Sequence, residues 1–398
     1  MAGGGARLDG LAGCDQVTAV TVAEMRRVVA GVVPRLPTRQ LAAVDCLGSV
    51  LAAPLIAPHD LPDADRSAMD GFAFAGVGPW LLRSGEINAG SDPGQPLNSG
   101  EAVRIATGAV TPAGTTAVLR SERARVCGPR VFACGDVPGA GRDVRTRAEN
   151  WATGTILAPA GTRVNPSVVS TALSAGVEVM QVRQPPRVHI ITTGDEVCVS
   201  GPPRRGQTRD SLGPVLPDWL RGHGFVPTAT CHRTDRQFSR LALPAADACD
   251  VVLVVGGTGH GPADYLRAVL DAHGAQIVVD GVACRPGGTQ LTALLSDGRV
   301  VLGLPGNPLA AVAVIATTGG AVAAAMTGHT PTVVRGELTT PLTMQSPTRI
   351  SPAWQCPEGT WAVDLHARTP HLATLVRRPA LALVDTGSRW AELIPVPR

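Results

Sequence analysis

The 398-residue sequence contains no lysine, so all 35 of its basic residues are arginine. A Schiff-base lysine and the lysine of a phosphate-binding P-loop are therefore excluded. Aromatic residues make up only 3%, and no run of five basic residues occurs, which argues against a nucleic-acid partner. The one long apolar stretch, residues 309–326, is mostly alanine and contains two threonines and two glycines, so we expect a buried helix rather than a membrane span.

Signals for export and for disulfide formation are also missing. Residues 1–16 are glycine-rich and lack the apolar segment of a signal peptide, so we expect a flexible tail and, by default, a cytoplasmic protein. The nine cysteines are an odd number and form no Cys-x-x-Cys pair. This pattern favours reduced, buried thiols over a disulfide framework or a zinc site.

The residues that are present fit a globular protein of several domains. Hydrophobic residues make up 44% of the chain, enough to pack the two to four domains that 398 residues predict. The 46 glycines and 34 prolines indicate many turns between short elements. The formal net charge of +3 is close to balance and favours neither nucleic acid nor an anionic membrane.

Changes in composition and in the spacing of apolar residues along the chain predict four domains after the tail. They are an elongated linker or dimerisation domain from residues 17–56 and 140–185, a small β-rich domain inserted at 57–139, an α/β domain at 186–329 and a C-terminal β domain at 330–398. Apolar spacing predicts two helices within residues 17–55, joined by a turn at 34–37, and a further helix near 166–175.

Residues 186–329 alternate strand-like and helix-like segments. The predicted strands are 187–192, 226–230, 251–255, 276–279 and 300–302. The predicted helices are 212–222, 238–246, 263–272 and 309–326. The fold class is therefore multidomain α/β plus β, with a central, mostly parallel sheet covered by helices.

Three of the predicted strands run directly into small polar loops. The loops are Gly194-Asp195-Glu196, Gly256-Gly257 and Pro305-Gly306-Asn307-Pro308. The carboxyl ends of parallel strands share one edge of the sheet, where ligands lodge. Glycine lets backbone N–H groups approach an anion, and Pro308 can open a helix whose amino end faces the site. We therefore predict a phosphorylated ligand at this edge, while an ordinary tight turn is the alternative for any single loop.

Acidic side chains accompany these loops. Asp195, Glu196 and Asp264 would repel a phosphorylated ligand unless a cation lay between them, and Mg²⁺ is the simplest ion with oxygen ligands. The alternatives are a helix cap or turn for Asp195 and a first-turn carboxylate for Asp264. His260 is a candidate ligand or base in the same loop, although a lone loop histidine is more often neither.

Segment 63–73 places four ionisable groups and a hydroxyl before an apolar run. Its simplest interpretation is a polar loop in which Arg66 and Asp70 form a weak surface ion pair. Local composition alone therefore assigns this segment no chemistry.

Taken in order, the motifs resemble those of the molybdopterin molybdenumtransferases, the MoeA-like proteins, over roughly residues 17–398. The motifs are Ser67-Ala68-Met69-Asp70-Gly71-Phe72-Ala73, Thr107-Gly108-Ala109, Pro159-Ala160-Gly161-Thr162, Thr193-Gly194-Asp195-Glu196, Gly256-Gly257 with Ala263-Asp264-Tyr265, and Leu304-Pro305-Gly306-Asn307-Pro308. The strand-end motifs alone are shared with molybdopterin adenylyltransferases. The Ser-Ala-Met-Asp-Gly segment is more selective, because those relatives lack the first half of the chain.

The resemblance implies an enzyme of molybdenum cofactor biosynthesis. Such an enzyme takes adenylylated molybdopterin and molybdate, inserts the metal into the dithiolene, and releases AMP. It also implies a homodimer of four-domain chains, with an active cleft shared between the α/β domain of one subunit and the upstream domain of the other. Molybdopterin adenylyltransferase and molybdoenzymes are further candidate partners.

The same resemblance assigns residues to the site. Asp70, Glu196 and Asp264 would be catalytic, and Glu196 and Asp264 would hold Mg²⁺. The residues that bind the pterin substrate and oxyanion would be Ser67, Thr107, Gly194, Asp195, Gly256, Gly257, Arg285, Pro305, Gly306, Asn307 and Pro308. Asp70 and Thr107 would enter the cleft from the second subunit.

Three polar groups that the family usually carries are absent. Asn150 follows Ala148-Glu149 where Gly-Glu-Asp is usual, Gly259 stands in place of a serine, and Gly288 stands in place of a lysine. Arg285 keeps one positive charge, which can fork onto an oxyanion. The alternative function is therefore a divergent paralogue that binds pterin or nucleotide without inserting metal. An adenylyltransferase acting one step earlier is disfavoured by the upstream domain.

Overall fold

The computed structural model describes residues 19–238, 248–259, 261, 264–342 and 348–397. The chain divides into two compact units. Unit 1 comprises Met1–Arg39, Gly48–Ala52 and Arg183–Arg398, and unit 2 comprises Gln40–Leu47 and Ala53–Val182. The predicted tail at 1–16 lies outside the described residues.

The elements follow one another in short segments, as the glycine and proline content predicts. Up to residue 183 they are α1 Val22–Val32, β1 Arg39–Ala42, β2 Val50–Leu51, β3 Leu55–Ile56, β4 Arg66–Ser67, β5 Gly71–Phe74, β6 Trp80–Ile87, β7 Glu101–Ile105, β8 Ala117–Arg120, β9 Ala124–Cys127, β10 Arg130–Ala133, β11 Val144–Arg145, β12 Ile156–Ala158, α2 Pro166–Ser174 and β13 Val179–Arg183. Beyond it they are β14 Arg187–Thr193, β15 Val197–Cys198, β16 Thr208–Arg209, α3 Leu216–Gly222, β17 Val226–Arg233, α4 Asp235–Phe238, β18 Val251–Val255, α5 Leu266–Ala272, β19 Gln276–Asp280, β20 Cys284–Arg285, β21 Leu291–Leu294, β22 Val300–Leu304, α6 Pro308–Val314, α7 Gly320–Thr327, β23 Val334–Glu337, β24 Thr348–Gln355, β25 Trp361–Val363, β26 Ala380–Val384 and β27 Trp390–Pro395. Short 3₁₀ turns occupy Ala43–Cys46, Ser121–Arg123 and Ala373–Leu375, and a π-helical turn occupies Ile315–Gly319.

The α/β part of unit 1 is built on a six-stranded sheet in the order β17-β14-β18-β22-β21-β19. The first four strands are parallel, β21 pairs antiparallel with β22, and β19 pairs antiparallel with β21, so β19 runs in the same direction as the first four. All five residues of β18 are buried, as expected for a central strand covered on both faces. The predicted mostly parallel sheet is therefore confirmed, although β21 was not predicted as a separate strand.

The apolar stretch after β22 is a core helix, as predicted. α6, the π-helical turn and α7 together form one continuous helical stretch at Pro308–Thr327. It is the one helix among the described residues that is long and apolar enough to cross a membrane, yet 78% of it is buried inside the protein. Its side chains pack with those of β14, β18 and β22 in the main hydrophobic cluster.

Several predicted helices have different bounds or are absent. The second helix predicted within residues 17–55 is wrong, because residues 39–51 form two short strands around a 3₁₀ turn. The helix predicted at 212–222 begins only at Leu216, because the Asp210 carboxylate accepts the N–H groups of Leu212 and Gly213 and forms a turn there. The helix predicted at 263–272 begins at Leu266. Of the helix predicted at 238–246, only Phe238 lies within the described residues, at the end of α4.

The C-terminal β segment of unit 1 forms a sheet in the order β20-β24-β26-β27-β23, with β25 beside β24. Its strands are antiparallel except for β20, a two-residue strand from the α/β region that pairs in parallel with β24. This pairing places Arg285 directly opposite Arg349.

Unit 2 is built on a sheet in the order β8-β5-β7-β6-β10-β9, which confirms the β-rich character predicted for residues 57–139. Phe72, Phe74 and Trp80 belong to one of its apolar clusters. The predicted helix near 166–175 is α2, with the Asn165 side chain as its cap and a proline in its first turn. Ala148, at a position where the related family usually has glycine, adopts a left-handed φ of +62°.

The eight cysteines within the described residues form no disulfide. Cys46, Cys249 and Cys284 are buried, as predicted for structural thiols. Cys127 and Cys134 are exposed on the β9–β10 hairpin, so the prediction of buried thiols is wrong for them.

Candidate functional site

The three predicted strand-end loops meet at one edge of the unit 1 sheet. Strands β14, β18 and β22 are adjacent and parallel, so the loops after them lie side by side. They line a cavity of about 460 Å³ that we call the strand-end cavity. The residues of these loops that line it are Gly194, Glu196, Gly256, Gly257, Gly306, Asn307 and Pro308. The sequence prediction of a shared ligand site at this edge is supported by this arrangement.

Gly256 shows why these loops are glycine-rich. Its φ is +95°, and a Cβ there would lie 2.6 Å from the Thr193 hydroxyl oxygen. That hydroxyl donates a hydrogen bond to the Val255 carbonyl at 3.1 Å, which links the ends of β14 and β18. Any larger residue would push these strand ends apart, so glycine keeps the backbone of the cavity wall open to an anion.

Two of the predicted acidic residues line the cavity. Glu196 is exposed at its wall, and no hydrogen bond to its carboxylate is present among the described residues. Asp264 accepts the N–H of Gly259 at 2.8 Å and that of Gly261 at 2.7 Å, one on each oxygen. Asp264 lies two residues before α5, so it closes its own loop and is not the first-turn carboxylate of the alternative interpretation.

Asp195 and Asp235 form a second acidic pair beside the cavity. The Asp195 carboxylate accepts the backbone N–H of Asp235 at 2.9 Å, so Asp195 fixes the start of α4 in the way the turn interpretation predicts. Asp235 itself lines the cavity. Burial, and then the negative charges of Asp195 and Glu196, raise the pKa of the Asp235 carboxyl. This edge of the sheet therefore carries excess negative charge.

The predicted Mg²⁺ ligands fit a hard cation in type. Glu196 and Asp264 offer carboxylate oxygens, which Mg²⁺ prefers, and a cation would offset the repulsion that raises the Asp235 pKa. Within the described residues, however, no group of three or more His, Cys, Asp or Glu side chains is already arranged to hold a metal. The assignment of Mg²⁺ to Glu196 and Asp264 therefore stays a prediction.

The helix after the third loop begins at Pro308, as predicted, but the first backbone N–H at its amino end already has a hydrogen-bond partner. The N–H of Leu309 donates to the Thr369 carbonyl at 3.1 Å. The expectation that the amino end of this helix faces the ligand is therefore wrong for this amide. Pro305 is buried behind the loop, while Gly306 and Asn307 are exposed at the cavity.

Arg209 provides a positive charge in the strand-end cavity. It lines the cavity from β16, and its guanidinium donates to the Cys198 carbonyl at 3.1 Å, which ties it to the neighbouring strand β15. Asp210, also in the lining, uses its carboxylate to shape the turn before α3. Phosphate groups in this cavity would find the Arg209 guanidinium as a charged donor.

Arg285 is not among the residues that line the strand-end cavity. It lines a second cavity of about 570 Å³, in which Arg349 and Arg368 also lie, and which we call the arginine cavity. Asp364 and Ser351 contribute further polar groups to its wall. Three arginines around one opening favour an inorganic oxyanion as ligand.

Arg349 has a donor without a partner in this cavity. Its terminal nitrogen donates to the Leu365 carbonyl at 3.1 Å, but its Nε is buried and has no hydrogen-bond partner among the described residues. Buried donors are almost always satisfied, so this nitrogen is expected to gain an acceptor when the side chain moves or solvent enters. Pro370 lines both cavities, and Leu309 of the arginine cavity follows Pro308 of the strand-end cavity, so the two openings are neighbours.

In unit 2, Asp70 and Thr107 lie beside each other and are hydrogen-bonded. Gly71 of β5 pairs with Ile105 of β7, which puts Asp70 beside the turn that follows β7. The Asp70 carboxylate accepts the Thr107 N–H at 2.7 Å and its hydroxyl at 2.9 Å, and these bonds lower the pKa of Asp70. Asp70 is exposed and does not pair with Arg66, which instead bonds Asp63 and the Gly108 carbonyl.

Ser67 has a local role in the structure. Its side chain is 1% exposed, and its hydroxyl donates to the Met69 carbonyl at 2.6 Å. This bond stabilises the turn that leads to Asp70. The predicted contact of Ser67 with a ligand has no support in this geometry, because the hydroxyl is buried and engaged.

The three positions at which this chain lacks a polar group that is usual in the related family, Asn150, Gly259 and Gly288, differ in their surroundings. A Cβ on Gly259 would lie 2.6 Å from an Asp264 oxygen, so a serine at this position would require the Asp264 carboxylate to lie elsewhere. A Cβ on Gly288 would lie 3.1 Å from the Cys284 carbonyl. Asn150 is exposed in unit 2 and donates its N–H to Leu61. His260 lies outside the described residues.

Sequence reasoning missed Asp235, Arg349 and Arg368. Asp235 follows a strand end in the way Glu196 does, so its position after β17 was a usable signal. Arg349 and Arg368 belong to the C-terminal β segment, where no motif surrounds them, and they meet Arg285 only through the pairing of β20 with β24.

Comparison with known proteins gives family matches over both parts of the chain. Residues 20–176 match the family model described as the MoeA N-terminal region (domain I and II), and residues 189–342 match a probable molybdopterin binding domain. The molybdopterin molybdenumtransferase of Nostoc sp. is 32% identical over 308 residues, which covers 73% of this chain and 70% of that protein. The enzyme of the same name from Staphylococcus aureus (strain MRSA252) is 29% identical over 288 residues, covering 69% and 68%.

The fold is also similar to that of a solved structure. The crystal structure of a molybdopterin biosynthesis MoeA protein from Pyrococcus horikoshii superposes with a TM-score of 0.74 at 20% identity, covering 95% of this chain and 99% of that one. With a relative more than 30% identical over more than two thirds of the chain, and with both family models matching in order, this protein belongs to the molybdopterin molybdenumtransferase (MoeA) family.

Proposed function

We propose that this protein is a molybdopterin molybdenumtransferase, which inserts molybdate into adenylylated molybdopterin and releases AMP. The observation that carries the proposal is the pair of neighbouring cavities in unit 1, one suited to phosphates and one to a tetrahedral oxyanion, which share Pro370. The proposed reaction requires that its two substrates meet, which neighbouring cavities would allow.

The strand-end cavity would hold the phosphates of the pterin substrate. The backbone of Gly256 and Gly257 leaves room for a close approach, and Arg209 offers a charged donor. Mg²⁺, held by Glu196 and Asp264, would neutralise charge on the phosphates and polarise the bond to AMP. Asp235 would add negative charge that strengthens the hold on the cation.

The arginine cavity would hold molybdate. Arg285 and Arg349 lie opposite each other on paired strands, and Arg368 completes the lining. Guanidinium groups stay charged at every accessible pH and match oxyanion oxygens in pairs. Their role is to hold molybdate beside the pterin, so the chain contributes position and electrostatics rather than a nucleophile.

The second subunit is part of the proposal. Asp70 and Thr107 form an exposed, hydrogen-bonded pair in unit 2, and we propose that this pair completes the cleft of a partner subunit in a cytoplasmic homodimer. Mixing Asp70→Ala with Asp264→Ala subunits should then restore about a quarter of the sites if exchange is random. No recovery despite demonstrated exchange would place both residues in the site of one chain.

The paralogue without metal insertion is not favoured. Its motivation was the loss of polar groups at Asn150, Gly259 and Gly288, but relatives named as transferases match most of the chain. An earlier adenylyltransferase step is disfavoured as well, because the MoeA N-terminal region matches residues 20–176.

The test is direct. Purified protein is incubated with adenylylated molybdopterin, Mg²⁺ and molybdate, and AMP release and active cofactor are measured. We expect AMP to be released in step with cofactor formation, and only when all three are present. Tight binding of the pterin nucleotide without turnover would instead identify the paralogue.

A further inference from the structure

A buried polar chain links the core helix to the turn that carries Arg285. The Thr318 hydroxyl donates to the side-chain oxygen of Gln290, and the Gln290 Nε2 donates to the Gly287 carbonyl at 3.0 Å. Both side chains are 1% exposed. Both ends of the Gln290 amide are therefore used, and any loss of one partner would leave a buried polar group unsatisfied.

The π-helical turn at Ile315–Gly319 presents Thr318 to Gln290. The N–H of Gly320 reaches back five residues to the Ile315 carbonyl, which widens the helix between α6 and α7. Single π-helical turns within helices are frequent at functional sites. The neighbouring Thr317 is equally buried, but its hydroxyl donates to the Ala313 carbonyl at 2.8 Å, inside its own helix. Only one of the two adjacent threonines thus reaches the Arg285 turn.

The turn itself is packed tightly on α6. Gly287 has φ +102°, and a Cβ there would lie 2.9 Å from a methyl group of Val314. The Cys284 thiol donates to the Pro286 carbonyl at 3.5 Å, and burial raises the pKa of this thiol to about 11, so it remains a donor at neutral pH. The backbone N–H of Gln290 also donates to Gly287.

We propose that Gln290 and Thr318 are positioning residues for the oxyanion subsite, because they fix residues 284–288 so that the Arg285 guanidinium faces Arg349 and Arg368. The inference rests on the proposed function of the arginine cavity. Neither residue lines that cavity, so both act through Arg285 and not by touching the oxyanion. Sequence patterns do not reveal this role, because Gln290 and Thr318 are 28 residues apart.

The experiment compares two adjacent threonines in the intact protein. Thr318→Val removes the donor to Gln290, and Thr317→Val is the matched control in the same turn. We expect Thr318→Val to raise the KM for molybdate about tenfold, with kcat and the Kd for AMP unchanged. Thr317→Val should leave all three values within about twofold, and Thr318→Ser, which keeps the hydroxyl, should restore the KM.

Thermal unfolding of each variant separates positioning from folding. A rise in the KM for molybdate in a variant that unfolds at the wild-type temperature supports the inference. If Thr318→Val proves unstable, Gln290→Glu keeps the size and the acceptor oxygen but removes the donor to Gly287, and it should raise the same KM.

Arg285→Ala distinguishes failure of the inference from failure of the proposed function. If Arg285→Ala weakens molybdate use and neither Thr318→Val nor Gln290→Glu does, the positioning role is overturned while the function stands. If wild-type protein shows no molybdate-dependent AMP release, the proposed function fails first. Equal effects of Thr317→Val and Thr318→Val would also overturn the positioning role.

Discussion

The two cavities of unit 1 are built in opposite ways. The strand-end cavity is lined by short loops that follow adjacent parallel strands. Glycines in these loops leave the backbone accessible, and the acidic side chains beside them would bind a cation. The arginine cavity uses three long, charged side chains from separate segments, gathered by the pairing of β20 with β24. Backbone loops suit phosphates that carry their own cation, whereas arginines suit a free oxyanion, and this difference separates the two substrates.

The contrast also explains what could be read from sequence. Gly194, Gly256 and Gly306 follow strands directly, so their common edge could be predicted from the alternation of strands and helices alone. Arg285 was assigned to the site only from the family resemblance, and no motif surrounds Arg349 or Arg368. Their meeting depends on a two-residue strand leaving the α/β region to join the C-terminal sheet, which no local spacing encodes.

The largest effect should come from the arginine cavity. Arg349→Met should raise the KM for molybdate about 100-fold, because hydrogen bonds to a charged group contribute about 1.5–3 kcal/mol each. The Kd for AMP should not change, since AMP belongs to the other cavity. Steady-state kinetics and calorimetry measure the two values, and Arg335→Met on β23 of the same sheet is the control. Equal losses for molybdate and AMP would break the distinction between the cavities.

A smaller effect, on the binding of AMP rather than molybdate, is expected in the strand-end cavity. Gly256→Ala should lower the affinity for AMP about tenfold, because the new Cβ meets the Thr193 hydroxyl at 2.6 Å. Gly274→Ala is the matched control, since Gly274 also has a left-handed φ, +63°, but nothing within 4 Å. Both should lose about 1–2 kcal/mol of stability from backbone strain. A fall in AMP affinity for both variants would contradict a local role of Gly256.

The smallest effect concerns pH. The pKa of Asp235 is raised, so this carboxyl takes up its proton at a higher pH than an ordinary aspartate, and the site then loses negative charge. Mg²⁺ affinity should therefore fall about threefold as pH drops through that range, whereas sulfate binding in the arginine cavity should not change. Calorimetry across pH measures both.

The Asp235→Asn variant provides the control for this pH effect. It should bind Mg²⁺ more weakly at neutral pH and lose this part of the pH dependence. It should also be slightly more stable than wild type without Mg²⁺, because a raised pKa means that ionisation above it costs folding stability. If the pH dependence of Mg²⁺ affinity is unchanged in Asp235→Asn, Asp235 is not the group that causes it.

The wrong helix prediction has a similar physical origin to the missed arginines. Leu41, Ala42, Val44 and Leu47 have helical spacing, but Val44 and Leu47 are exposed, and the Ala43 N–H pairs with the Glu178 carbonyl far along the chain. Pairing between distant backbone segments outweighs local propensity here. Asp70 and Thr107 were each assigned to the site only from the family resemblance, and the register of β5 against β7 supplies the physical cause of their contact.

The measurement that tests the central claim most directly is a crystal structure of the protein soaked with AMP and tungstate, a heavy oxyanion of the same shape as molybdate. We predict a tungstate peak within hydrogen-bond distance of the Arg285 and Arg349 guanidinium groups, and the AMP phosphate beside Gly256 and Gly257. A tungstate peak at the strand-end loops with the arginine cavity empty would contradict it.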